Sequence, residues 1–219
     1  MNFCITTDSG ADLPLSYCQT HDITVLPLAF TIEGQTYHGS GAMDDKAFYD
    51  KLRAGALPTT SAANPEDTAA LFRTFAEQGK DLLHVAFSSG LSSTSDAAQI
   101  AAQMVMEEYP QRKIIVVDSL CASMGQGFLV HQAVKLRDAG ETLEDTARKV
   151  TDLRLNVVHN FTVDDLGHLH RGGRVSKATA VVGSLMGIKP ILHVDGEGHL
   201  TSVGKVRGRK ASIQALADR

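Results

Sequence analysis

Residues 81–109 read DLLHVAFSSGLSSTSDAAQIAAQMVMEEY, three local patterns in unbroken succession. Leu82-Leu83-His84-Val85-Ala86-Phe87 is a short apolar run of the kind a buried strand shows. Ala97, Ala98, Ile100, Ala101, Met104 and Val105 then recur at helical spacing until Tyr109-Pro110 ends the pattern. Between them lies Ser88-Ser89-Gly90-Leu91-Ser92-Ser93-Thr94-Ser95, six hydroxyl residues in eight positions. A strand, a hydroxyl-rich turn and a helix in this order put free backbone N–H groups and hydroxyls at one helix N-terminus, which favours a negatively charged group. Ser and Thr are also preferred caps, so capping explains part of the knot. Six hydroxyls exceed what one cap uses. From this stretch alone a capped helix and an anion site both stand.

The same alternation continues on either side. Residues 3–7 predict a strand that ends in Asp8-Ser9-Gly10-Ala11-Asp12, and 13–21 a short helix with Pro14 in its first turn. Residues 23–32 are apolar and β-branched, with Glu33-Gly34 turning the chain back into Gln35-Thr36-Tyr37-His38. Asp44-Asp45 opens a helix through Phe48, Tyr49 and Leu52 that Gly55 closes. Asn64 caps a further helix with Pro65 at its first position, which leaves Thr59, Thr60 and Ser61 exposed in a second hydroxyl-bearing loop. Residues 113–118 form a continuous apolar strand pattern that predicts burial on both faces. Ser119 to Gly127 then leads into a helix reaching Gly140, and Thr142 with Asp145 starts another. Buried strands alternating with amphipathic helices predict an α/β fold, a parallel sheet covered by helices. Ligands of such sheets sit beyond the carboxyl ends of the strands, where the three hydroxyl-rich loops fall, so a shared site is inferred.

From about residue 157 the texture changes. Residues 157–163 read as a strand, followed by a polar stretch, a Gly172-Gly173-Arg174 turn and a helix over 177–187. Residues 189–194 read as a strand, and Asp195-Gly196-Glu197-Gly198 as a hairpin turn into 199–206. The expected organisation is an α/β N-terminal domain over 1–160 and an α+β C-terminal domain over 161–219. The last helix, 211–217, runs to Arg219 without a capping signal, so the second domain reads as incomplete.

Composition excludes several function classes. With 219 residues, 43% hydrophobic and 21% charged, the chain has the make-up of an ordinary globular protein with ample length for a core. A net charge of -4 argues against nucleic acid as partner. The N-terminus lacks the features of a signal peptide, and the weakly polar run 178–188 is too short to span a bilayer. A cytoplasmic protein without stable membrane insertion is expected. Cys4, Cys18 and Cys121 are odd in number and form no CxxC pair, so neither a disulfide scaffold nor a zinc site is predicted.

Familiar catalytic motifs match only in part. Gly125-Gln126-Gly127 would need its third glycine at Val130, so the dinucleotide fingerprint fails. Residues 90–94 resemble a nucleophile elbow whose closing glycine is replaced by Thr94. A serine hydrolase or phosphotransferase using residues 88–95 would need a base, for which His131, His159, His168, His170 and His193 are candidates without a sequence-level partner. His168-Leu169-His170 could bind a metal weakly, though a surface helix end explains it more simply; Lys205, Arg207, Arg209 and Lys210 could meet phosphate, though solvated charge is the commoner explanation.

Taken in order and spacing, a wider set of stretches resembles the DegV family of fatty-acid-binding proteins over essentially the whole chain. They are Asp8-Ser9, Val25-Leu26-Pro27-Leu28, Pro58-Thr59-Thr60-Ser61, Ser88-Ser89-Gly90-Leu91-Ser92, and Asp118-Ser119 with Gly125-Gln126-Gly127. Asp165-Leu166 with Leu169, Gly172-Gly173-Arg174 and Lys189-Pro190-Ile191-Leu192 complete the set. The resemblance implies a two-domain fold with a long-chain fatty acid buried between its domains. It also implies a carrier subunit, not itself an enzyme, of a bacterial fatty acid kinase. Such a carrier presents the carboxylate to a separate kinase subunit that forms acyl phosphate.

By carry-over, Thr60, Ser61 and Ser92 hold the carboxylate, assisted by backbone N–H groups around Ser92 and Ser93. Arg171 and Arg174 fall at the site rim or the kinase-contact surface, and neither cofactor nor metal is expected. Each buried methylene contributes about 0.8 kcal/mol, so the tail supplies the affinity while hydroxyl and amide donors satisfy the carboxylate. The sequence departs from the family in carrying Ser93 where glycine is usual and Ser95 where an aromatic is common. It also lacks the family's final His-Thr-Gly-Pro-Gly segment, which predicts a truncated chain or an incomplete site.

Overall fold

The computed structural model describes residues 3–39, 41–176 and 187–219. Its contacts divide into two compact units, Met1–Asn156 and Val157–Arg219. In the first, β1 (Cys4–Asp8), α1 (Leu15–Thr20) and β2 (Ile23–Leu26) form a strand–helix–strand unit. A small insertion follows, made of β3 (Ala29–Ile32), β4 (Gln35–His38), α2 (Asp45–Arg53) and β5 (Thr59–Thr60). The alternation then resumes with α3 (Pro65–Ala76), β6 (Leu82–Ala86), α4 (Thr94–Glu108), β7 (Ile114–Asp118), α5 (Ser123–Asp138) and α6 (Leu143–Leu153).

Four of these strands make an all-parallel sheet in the order β2-β1-β6-β7. Central β6 is the apolar run of residues 82–86, and all five of its residues are buried at 0% exposure. Burial of each large aliphatic side chain there is worth about 1.5–3 kcal/mol. On one face α3 and α4 supply Ala69, Phe72, Ala76, Ala98, Ala101, Ala102 and Val105 to a core that includes Leu82 and Ile114. The small residues of α4 let its backbone lie close to the strands. On the other face α5 packs on β1 and β6, and α6 on β6 and β7. The fold is therefore α/β with helices on both faces of a parallel sheet.

Three expectations for this unit need correction. Residues 23–32 are not one strand, because β2 joins the parallel sheet while β3 pairs antiparallel with β4 and β5 in a separate sheet. Pro27 has no N–H for a ladder, and the Leu28 N–H is taken by Ser9 Oγ at 3.0 Å, so the chain leaves the first sheet there. Residues 59 and 60 are not loop but the short strand β5, with the Ser61 N–H also bonded to Ala29 O. Finally, β7 is an outer strand of the sheet, and its Ile115 and Val116 stay partly exposed instead of being buried on both faces.

The second unit contains α7 (Gly167–Arg171), β8 (Ile188–Val194), β9 (Leu200–Arg207) and α8 (Arg209–Ala217). The two strands form an antiparallel hairpin with a register shift at Ile191/Leu192, closed by a turn in which Asp195 Oδ1 accepts the N–H groups of Glu197 and His199. Residues 157–163 do not form the expected strand; only Phe161 bridges Leu192, through two reciprocal backbone bonds of 3.0 and 2.8 Å. The helix expected over 177–187 falls, except for Gly187, outside the described residues. The unit is α+β.

Candidate ligand-binding site

The turn from β6 into α4 is built by its own hydroxyls and by its neighbours. The Ser88 carbonyl accepts the N–H groups of Leu91 (3.1 Å) and Ser92 (3.2 Å), and Ser88 Oγ accepts that of Gly90 at 3.2 Å. Ser88, Thr94 and Ser95 are fully buried, whereas Ser89 and Ser93 are exposed and Ser92 is half-buried. Ser92 Oγ lies 2.9 Å from Thr94 Oγ1 and accepts the Thr94 N–H at 3.2 Å. Ser93 occupies the cap position of α4, yet its side chain caps nothing. Among the described residues no acceptor meets the backbone N–H groups of Ser93, Ser95 or Asp96, and the buried Ser95 hydroxyl has no partner. A fifteen-residue helix thus presents open donors at its positive end. Asp96 is the acidic residue of that first turn and is exposed.

The second hydroxyl-bearing segment reaches the same place. Ala63 N–H donates to Thr94 Oγ1 at 3.2 Å, so the chain two residues after Ser61 is tied to the start of α4. Thr94 is not among the residues expected to hold the carboxylate, yet it is the link between the two segments. Its signal was its position at the head of a helix after a hydroxyl run. Thr60 and Ser61 are themselves exposed. In the small sheet Thr60 stands opposite Phe30, and Phe30 opposite Tyr37, with the two rings stacked at 5.2 Å. Arg171 and Arg174 belong to the second unit, where Arg171 is exposed and Arg174 bonds to Gly172 O.

Ser93 needs no glycine at its position. Its φ of -76° is negative, so the backbone there does not call for glycine. The groups under the turn are poor nucleophiles and bases. Burial pushes the Cys121 thiol up to about 12, and buried His84 is pushed down to about 3 by the same desolvation. Ser92 is bonded to a threonine hydroxyl, not to an imidazole. Among the described residues there is no group of three or more side chains able to hold a metal ion, and no helix long and apolar enough to cross a membrane. Elsewhere in the first unit, Leu13, Pro14, Tyr17, Met124, Phe128 and His131 line an apolar hollow of about 250 Å³.

The model of the DegV family, described as one of uncharacterised proteins, matches residues 2–219. The chain belongs to the DegV family. The DegV domain-containing protein YteA of Lactococcus lactis is 45% identical over 221 residues, an alignment covering 100% of this chain and 76% of that protein. Among solved structures, a stearic acid-binding protein from Eubacterium ventriosum superposes with a TM-score of 0.91 at 27% identity, covering 99% of this chain and 74% of that one. A fatty-acid-binding DegV family protein from Thermus thermophilus gives 0.88 at 32% identity, covering 100% and 76%.

Proposed function

We propose that this DegV-family protein binds a long-chain fatty acid, with its carboxylate at the start of α4. The observation that carries the reading is the set of open donors there: the N–H groups of Ser93, Ser95 and Asp96 beside the hydroxyls of Ser92 and Ser95. A buried carboxylate without partners is very costly, and such an array of neutral donors supplies them. Thr60 and Ser61 complete the head-group site from the segment tied to Thr94. The fatty-acid-binding relatives of the same fold support this choice of anion.

In the same reading the protein is a cytoplasmic carrier, with no chemistry of its own. It would offer the carboxylate to a fatty acid kinase subunit for acyl-phosphate formation, with Arg171 and Arg174 on the surface that meets the kinase. Hydroxyl and amide donors hold a carboxylate without the bidentate clamp of an arginine, which leaves an oxygen able to attack a phosphoryl donor. Native mass spectrometry followed by organic extraction tests the binding step. A stoichiometric fatty acid is expected, and a protein that is empty and takes up no added stearate overturns the reading.

A further inference from the structure

Two carboxylates hold the head-group turn from behind. Asp8 ends β1 and Asp118 ends β7, the strands on either side of β6. Asp8 Oδ2 accepts the Phe87 N–H at 2.7 Å, and Asp118 Oδ1 accepts the Ser89 N–H at 3.1 Å. Between them the Ser88 N–H goes to Cys121 O at 3.0 Å. Three successive N–H groups at the exit of β6 are therefore taken by the last residues of its two neighbouring strands and by the loop that follows β7. Downstream, Ser92 hangs on Ser88 through the Ser88 carbonyl. The place of Ser92, and with it the open end of α4, is set by this anchorage.

We propose that Asp8 and Asp118 are positioning residues for the carboxylate site, an inference that rests on the fatty-acid reading above. They act through different geometry. Asp8 is fully buried and uses both oxygens, Oδ1 for the Gly10 N–H at 2.9 Å and Oδ2 for Phe87. Asp118 uses one oxygen, Oδ1, for both Ser89 and Leu120 N–H groups at 3.1 Å each. Leu120 has φ +49°, a left-handed conformation that this bond helps to hold. Asparagine has a single acceptor oxygen, with an NH₂ donor in place of the other. It can copy the arrangement at 118. At 8 it would turn N–H donors toward a backbone N–H. One chemical change is thus expected to have opposite results at two aspartates of the same anchorage.

The test measures the affinity of the full chain for stearate and for octadecanol, which has the same chain length without the charge. Asp118→Ala should weaken stearate about tenfold or more while changing octadecanol far less, because the loss falls on hydrogen bonds to a charged head group. Asp118→Asn should recover most of the stearate affinity, and Asp8→Asn should lose it as Asp118→Ala does. Equal loss of both ligands in Asp118→Ala would show a merely structural role and overturn the proposal. So would an Asp118→Asn protein as weak as the alanine variant, or an Asp8→Asn protein as tight as the wild type. Should Asp118→Ala fail to fold, the two asparagine variants decide the matter between them. Wild-type protein that binds no fatty acid sinks the fatty-acid reading itself, a result distinct from all of these.

Discussion

Two helices that pack against the same central strand begin in opposite ways. At α3, Asn64 Oδ1 accepts the N–H groups of Glu66 and Asp67, and Pro65 has no N–H to satisfy. Glu66 and Asp67 add negative charge where the helix end is positive. At α4, Ser92 accepts the Thr94 N–H and nothing accepts those of Ser93, Ser95 and Asp96 among the described residues. Both ends carry the same kind of partial charge. One satisfies it from its own sequence and the other leaves it open to an anion. The marker of the proposed site is an unoccupied donor, not the density of hydroxyls that first draws attention to the turn.

Acid should break the comparison most severely, by undoing the strand beneath both helices. His84 lies at the centre of β6, with Nδ1 2.9 Å from Thr6 Oγ1, Nε2 buried without a partner among the described residues, and the Phe72 ring of α3 tilted against it at 5.3 Å. Its pKa is lowered from 6.5 to about 3 because burial disfavours the cation. The unfolded chain then binds a proton below about pH 6.5 that the folded one refuses, so stability falls as pH drops through the window from 6.5 toward 3. By pH 4.5 most of this loss is in place, on the order of a few kcal/mol. Urea unfolding at pH 7 and 4.5 measures it. His84→Phe should flatten that difference, whatever it does to stability at neutral pH. An unchanged acid limb would refute the assignment.

The next test exchanges one substitution between the two helix starts. Asn64→Ala should cost about 1 kcal/mol of stability through the lost cap and leave fatty-acid affinity unchanged. Ser92→Ala should affect both quantities. It loses the acceptor of the Thr94 N–H, a stability cost like that of Asn64→Ala, and in addition it weakens stearate about tenfold or more, the scale of a hydrogen bond to a charged group. Calorimetric melts with and without stearate separate the two quantities, since a ligand stabilises only the state it binds. If both variants lost stability and affinity in the same proportion, the contrast between a closed and an open helix start would have no functional content.

Much of this arrangement was legible in the sequence, and the failures share a cause. Periodicity and caps are local signals, and they placed β1, β6, α4 and the Asn64 cap because nothing distant overrides them there. The split of residues 23–32 between two sheets depends on where Leu28 finds an acceptor, and that acceptor is Ser9, far back in the chain. Thr59 and Thr60 became a strand because β3 offered them an edge. In the proposed site, Thr60, Ser61 and Ser92 stood out by residue type. Thr94, Asp8 and Asp118 did not stand out as a group. Their importance lies in which backbone N–H each accepts, and the chain segments concerned are 31, 79 and 29 residues apart.

The smallest expected effect is also the one that separates a site from a packing defect. Ser95 is fully buried near the start of α4, and among the described residues its hydroxyl has no partner. A buried donor left unpaired is a standing cost to the empty protein, and alanine is also the better helix former. Ser95→Ala should therefore raise the stability of ligand-free protein, by up to about 1 kcal/mol. If the hydroxyl serves the carboxylate, the same variant should show a smaller stabilisation by added stearate than the wild type does. A gain in stability with full response to stearate would mean that the open backbone N–H groups alone hold the head group. A loss of stability would mean that Ser95 has a partner in solution. A rise in one quantity with a fall in the other is the pattern expected where stability has been given up for binding.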